Sequence, residues 1–106
     1  MSTKFYNKLI RDKIPQIIEA TGKSAIVEKV SDDAYETLLN QKLTEELQEY
    51  LDSNDVEELA DLVEVIYAIL DNRNISIKDF ESIRLNKVLM RGAFKEQLLL
   101  KEVVDD

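Results

Sequence analysis

The sequence predicts a mainly α protein built on an antiparallel helical hairpin. Three observations carry that expectation. Glycine and proline are scarce, at two and one, which disfavours a turn-rich β architecture. Leu39, Leu43, Leu47 and Leu51 recur at helical spacing. After the polar break Ser53-Asn54-Asp55 comes a second apolar-rich stretch, VEELADLVEVIYAIL. Two long helices joined by so tight a turn must lie antiparallel.

The elements follow in order. Residues 4–13, KFYNKLIRDK, mix aromatic, apolar and basic residues without helical period. A short helix is expected at about 14–21, because Pro15 suits a first helical turn and Gly22 a C-terminal cap. SAIVEKV at 24–30 has the β-branched content of a short strand. Ser31 then reads as an N-cap, with two aspartates behind it to favour a helix start. The second long helix runs to about residue 71, capped by Asn54 or Asp55. Leu59, Leu62, Val63, Ile66, Ile69 and Leu70 mark its buried face, a stripe broad enough for burial on two sides. A further helix starts after Ser76, with Asp79 completing a capping-box variant, and ends at Gly92. The tail around 97–103 reads either as a closing strand against 24–30 or as a helix end.

At 106 residues with 44% apolar content, one compact domain spanning 1–106 is expected. The net charge of −8 disfavours wrapping of a nucleic-acid polymer, which needs a positive footprint. Cysteine and histidine are both absent. That removes disulfides, thiolate and imidazole metal sites, cysteine nucleophiles and the serine–histidine triad. Hydrolytic chemistry would have to rest on carboxylates, lysine, arginine or a bound metal. No apolar run approaches the roughly 20 residues needed to span a bilayer, and the N-terminus lacks a signal-peptide core. A cytoplasmic protein without a membrane partner is expected.

Two acid-rich motifs flank the break: Glu46 and Glu49 before it, Glu58 and Asp61 after it. In an antiparallel hairpin, facing residues have position numbers with a constant sum. Glu49 therefore sits level with Glu58, and Glu46 with Asp61. Within each helix the i, i+3 spacing puts both side chains on one face. A helical wheel sets Glu46 close to the edge of the leucine stripe and Glu49 one step further out. Glu58 borders the apolar face of its helix. Glu45, Glu57 and Glu64 point away and read as solvated. Four carboxylates so close raise one another's pKa unless a cation compensates, and an all-oxygen site suits Mg²⁺, Mn²⁺ or Ca²⁺. A single such motif is usually no more than a solvated face; the mirrored pair is what singles these four out.

E-x-x-E followed by E-x-x-D on paired helices resembles the all-α nucleoside triphosphate pyrophosphohydrolases, including MazG-like proteins, dimeric dUTPases and phosphoribosyl-ATP pyrophosphohydrolases. YNKLIRDKIPQII at 6–18 resembles the opening of a MazG-like, phosphoribosyl-ATP pyrophosphohydrolase-like subfamily. KVLMRGAF at 87–94 resembles its basic RGGF-type element. There are two departures. Only residues 50–57 separate the acidic motifs, and position 93 is Ala where that element often has Gly. The resemblance implies a helical bundle of that type and Mg²⁺-dependent attack of water on an α–β phosphate linkage, with Mn²⁺ as a substitute. A nucleoside triphosphate would yield a monophosphate and pyrophosphate, in a house-cleaning or nucleotide-pool role. Glu46, Glu49, Glu58 and Asp61 carry over as catalytic metal ligands.

Lys8, Arg11, Lys13, Lys87 and Arg91 then become candidates for phosphate contacts. Taken singly, each reads equally well as surface charge. Asn7 is a candidate for a base or ribose contact, or a cap. Tyr6, Tyr67 and Phe94 read as core rather than base-stacking groups. The broad apolar face and the resemblance together imply a homo-oligomer, a dimer or tetramer. Two alternatives stay open: phosphoribosyl-ATP hydrolysis, and a non-catalytic helical interaction module.

Overall fold

The computed structural model describes residues 2–105. They form four helices, α1 (Ile14–Glu19), α2 (Asp32–Ser53), α3 (Val56–Asn72) and α4 (Ile77–Arg91), and no strand. The mainly α expectation holds. The segments 24–30 and 97–103 do not become strands, since neither has a ladder partner among the described residues and a lone extended segment gains nothing from the pleat.

Local chemistry sets the helix ends. Ser31 Oγ accepts the Ala34 N–H at 3.2 Å, with Asp32 and Asp33 in the first turn of α2. The break is built by all three of its residues. Asn54 is left-handed at φ 57° and its N–H donates to Tyr50 O at 2.7 Å, a conformation asparagine tolerates better than most residues. Ser53 Oγ accepts the Asp55 N–H at 3.1 Å. Asp55 in turn accepts the Glu57 N–H at 3.0 Å and caps α3. Ser76 Oγ accepts the Asp79 N–H at 3.1 Å to start α4, which ends at Gly92. Helix α1 has Pro15 in its first turn and no side-chain cap.

The chain divides into two compact units, Met1–Asn74 and Ile75–Asp106. In the first, α2 packs along α3. Its buried residues are Leu39 on α2, Val65 and Leu70 on α3, and one acid, Glu46. The leucine stripe of α2 explains why only its first member is fully covered. Each i+4 step advances about 40° around a helix of 3.6 residues per turn. Leu39 is buried and Leu43 half-buried, while Leu47 and Leu51 have turned out to solvent. On α3 the expected face also splits. Leu62, Ile66 and Ile69 are half-buried and Leu70 buried, but Leu59 and Val63 are exposed, joining Val56 on a second apolar face.

In the second unit α4 has no buried residue, and Ile83, Leu85, Leu89 and Met90 are exposed. Tyr6 and Phe94 are also exposed, correcting their reading as core. Tyr67 is half-buried. Tyr6 instead lies beneath two ammonium groups, Lys4 at 5.0 Å and Lys8 at 5.9 Å from the ring centroid.

Candidate metal centre

Seven residues before Glu46 in α2 stands Leu39, and seven residues are close to two full helical turns. Glu46 therefore shares the face of Leu39, at that end of the leucine stripe, and is buried where α2 meets the acids of α3. On α3, Glu58 and Asp61 lie within two turns of Val65 on the same side, and both are half-buried. The antiparallel register then brings the two helices' acids together. Glu46, Glu58 and Asp61 each offer an oxygen within 4.8 Å of the others, and so do Glu45, Glu46 and Glu49. Glu46 belongs to both groups.

The oxygens are unequally satisfied. Glu46 Oε1 pairs with Lys42 Nζ at 3.4 Å. Glu46 Oε2 and Glu58 Oε2 are buried without a hydrogen-bond partner. Burial pushes the Glu46 carboxyl above its ordinary pKa, and the neighbouring Glu49 pushes it further; Lys42 opposes without reversing this. Desolvation also raises Glu58, helped by Glu49, Asp61 and Glu46. A buried acceptor left unmet is destabilising, because it has given up water without gaining a donor. Two such oxygens facing acidic neighbours fit a hard cation.

A rim of cations surrounds the acids. Lys8 Nζ donates to Glu45 Oε1 at 2.5 Å, and Lys42 Nζ reaches Glu45 Oε2 at 3.3 Å. Burial alone would raise the Glu45 carboxyl, but the bonds from Lys8 and Lys42 outweigh it and hold the group below its usual value. The Glu45 bond in turn raises Lys8. Arg11 Nη2 donates to Asp61 Oδ1 at 2.6 Å.

The four expected acids are thus brought together, along with Lys8 and Arg11. Lys13 is exposed at the N-cap of α1 and takes no part in these pairs. Lys87 and Arg91 lie on α4, in the other unit. Glu45, expected in solvent, is half-buried in the cluster instead. It and Lys42 were missed by pattern alone, although Lys42 stands i−3 from Glu45 and i−4 from Glu46, the spacing at which helical side chains meet. Asn7 is left-handed, at φ 50°.

No described helix is long and apolar enough to cross a membrane. No family model matches the chain, and no solved structure matches it. An uncharacterized protein of Mycolicibacterium smegmatis is 43% identical over 42 residues, which cover 40% of this chain and 43% of that protein. The match thus spans well under half of either chain and brings no named activity with it.

Proposed function

We propose that the α2–α3 hairpin is the ion-binding face of a Mg²⁺-dependent nucleoside triphosphate pyrophosphohydrolase that cleaves the α–β phosphate linkage. The observation that carries this reading is Glu46. It is an acid buried at the seam of two helices, with one oxygen unmet and further carboxylates within 4.8 Å. A solvated acidic face has no need of such a residue.

Glu46, Glu49, Glu58 and Asp61 would hold the ion. When bound, a divalent cation neutralises phosphate charge, positions water and lowers the pKa of that water. The chain's own residues supply the rest. A carboxylate among these four that is not fully used as a ligand would accept a proton from the attacking water. Lys8 and Arg11 stand at the rim of the cluster, where phosphate oxygens would lie, and arginine engages them bidentately. Lys13, Lys87 and Arg91 are further candidates for the same task. The exposed face of Val56, Leu59 and Val63 supports a homo-oligomer, which sedimentation would reveal.

The deciding experiment measures pyrophosphate release from a panel of nucleoside triphosphates, with Mg²⁺, with Mn²⁺ and with chelator. Metal-dependent release from at least one nucleotide is expected. Folded protein that releases none would overturn the reading. Including phosphoribosyl-ATP in the panel separates that substrate from the ordinary triphosphates.

A further inference from the structure

Residues 8–11 cross the carboxylate cluster without belonging to a helix or strand, yet they are tied to both arms of the hairpin. Lys8 holds Glu45 on α2 at 2.5 Å, and Arg11 holds Asp61 on α3 at 2.6 Å. Both pairs join residues far apart in sequence. Inside this bridge lies Glu46, 6% exposed, with an oxygen that accepts nothing. The N-terminal cations therefore neutralise the flanking acids, while the innermost oxygens are left for another ligand.

We propose that residues 8–11 are an internal counter-ion strap. Lys8 and Arg11 hold Glu45 and Asp61 when no divalent cation is bound, and ion loading at Glu46, Glu58 and Asp61 drives Arg11 off and loosens Lys8. The inference rests on reading the cluster as a divalent-cation site. Its physical basis is competition for charge. Asp61 is at once the anchor of Arg11 and a member of the trio with Glu46 and Glu58. A guanidinium hydrogen-bonded to that carboxylate and a divalent ion on the same group repel each other at short range. The carboxylate can neutralise one fully, not both. An Arg11 freed beside a loaded ion then faces outward, where phosphate oxygens are its natural partner.

The test uses the full chain and the metal alone. Mn²⁺ is titrated calorimetrically into wild type, Arg11→Gln and Lys8→Gln at low ionic strength. Removing the Arg11 charge should tighten Mn²⁺ binding by roughly three- to tenfold, an effect that added salt diminishes. Lys8→Gln should tighten it less, because Glu45 lies outside the trio that holds Asp61. Wild type provides an independent readout through tryptic cleavage after Lys8 and Arg11, with cleavage after exposed Lys23 as the internal reference. Mg²⁺ should accelerate the first two relative to the third. Ion binding that is unchanged or weakened in both variants, or N-terminal cleavage that slows on loading, overturns the strap and leaves the ion site standing. Absence of Mn²⁺ binding in wild type and variants at millimolar concentration overturns the strap and the ion site together.

Discussion

The hairpin α2–α3 and the segment 75–105 contrast in what their helices do with charge and apolar surface. The hairpin buries Leu39, Val65, Leu70 and the acid Glu46. The second region buries nothing and exposes Ile83, Leu85, Leu89 and Met90 on its helix and Leu98, Leu99 and Leu100 on its tail. Their ion pairs differ in the same way. Arg84 bonds Glu81 one turn away on an exposed surface, through contacts of 2.7–3.2 Å, a pair that any solvated helix makes. Lys8–Glu45 and Arg11–Asp61 instead tie distant segments around a buried carboxylate. Both regions contain a helix of 15 residues or more, so helix formation says little about where chemistry lies. A buried acid does, because a hairpin with so few covered positions gains no stability from placing a charge in one of them.

The sharpest way to break this contrast is to remove charge from each region in turn. Asp61→Asn and Glu49→Gln should each lower pyrophosphate release by at least the ~10–100-fold that loss of an outer-shell partner costs at metal sites. Arg84→Gln, in the second region, should leave the rate unchanged. Equal losses from all three would mean that the acids serve folding alone.

Next come changes in packing, read by urea unfolding of the chelated protein. Leu39→Ala should cost about 2–5 kcal/mol, as deletion of a buried leucine does. Leu89→Ala, 85% exposed, should stay within about 0.5 kcal/mol. Glu46→Leu should move in the opposite direction. An apolar side chain at that seam position should stabilise the metal-free protein by on the order of 1 kcal/mol while abolishing ion binding. Loss of stability on this substitution would show that Glu46 is structural.

The pH dependence sharpens the same point. Glu46 and Glu58 are raised, the first by burial and Glu49, the second by burial and its acidic neighbours. A raised carboxyl holds its proton more tightly in the folded state, so the folded chain binds more protons in the interval above the ordinary glutamate value. Stability of the chelated protein should therefore fall as pH rises through that interval. Glu45 is lowered and acts in the opposite sense at more acidic pH, where its contribution is lost as pH falls. Melting temperatures across that range should decline for wild type with chelator. The decline should flatten in Glu46→Gln and shrink when Mg²⁺ is supplied.

Much of this arrangement was legible from residue pattern, and the limits have physical causes. Caps are local, so Ser31 and Ser76 declared their helix ends through chemistry within three residues, whereas Asn54 and Asp55 were equal candidates until the structure showed Asp55 accepting the Glu57 N–H. The mirrored acids were legible because a tight turn imposes one register. The wheel sets Glu46 beside the Leu39 edge of the leucine stripe, and its depth follows from the drift of a four-residue repeat: Leu47 and Leu51 turn out to solvent while Glu46 stays level with buried Leu39. Glu45 lies opposite that stripe, where solvent is expected, yet it is half-buried. Nothing local could announce its Lys8 partner, which approaches from a segment without regular structure. The exposure of Tyr6 and Phe94 shows that aromatic identity alone does not establish burial.

The smallest expected effects test whether the two regions differ in cooperativity as well as in burial. Asp55→Ala removes the acceptor of the Glu57 N–H, and Ser76→Ala removes that of the Asp79 N–H. Each loss costs about 1 kcal/mol of helix stability. The first cap lies in the turn that aligns Glu49 with Glu58, so its loss should appear as a lower urea midpoint for the hairpin and weaker Mn²⁺ binding. The second starts a helix with no buried residue. Its loss should appear only as faster amide exchange in the first turn of α4, because a segment with little packing opens locally before it melts globally. If Ser76→Ala shifts the urea midpoint as far as Asp55→Ala does, then α4 is coupled to a packed core, and the contrast between the two regions fails at its weakest link.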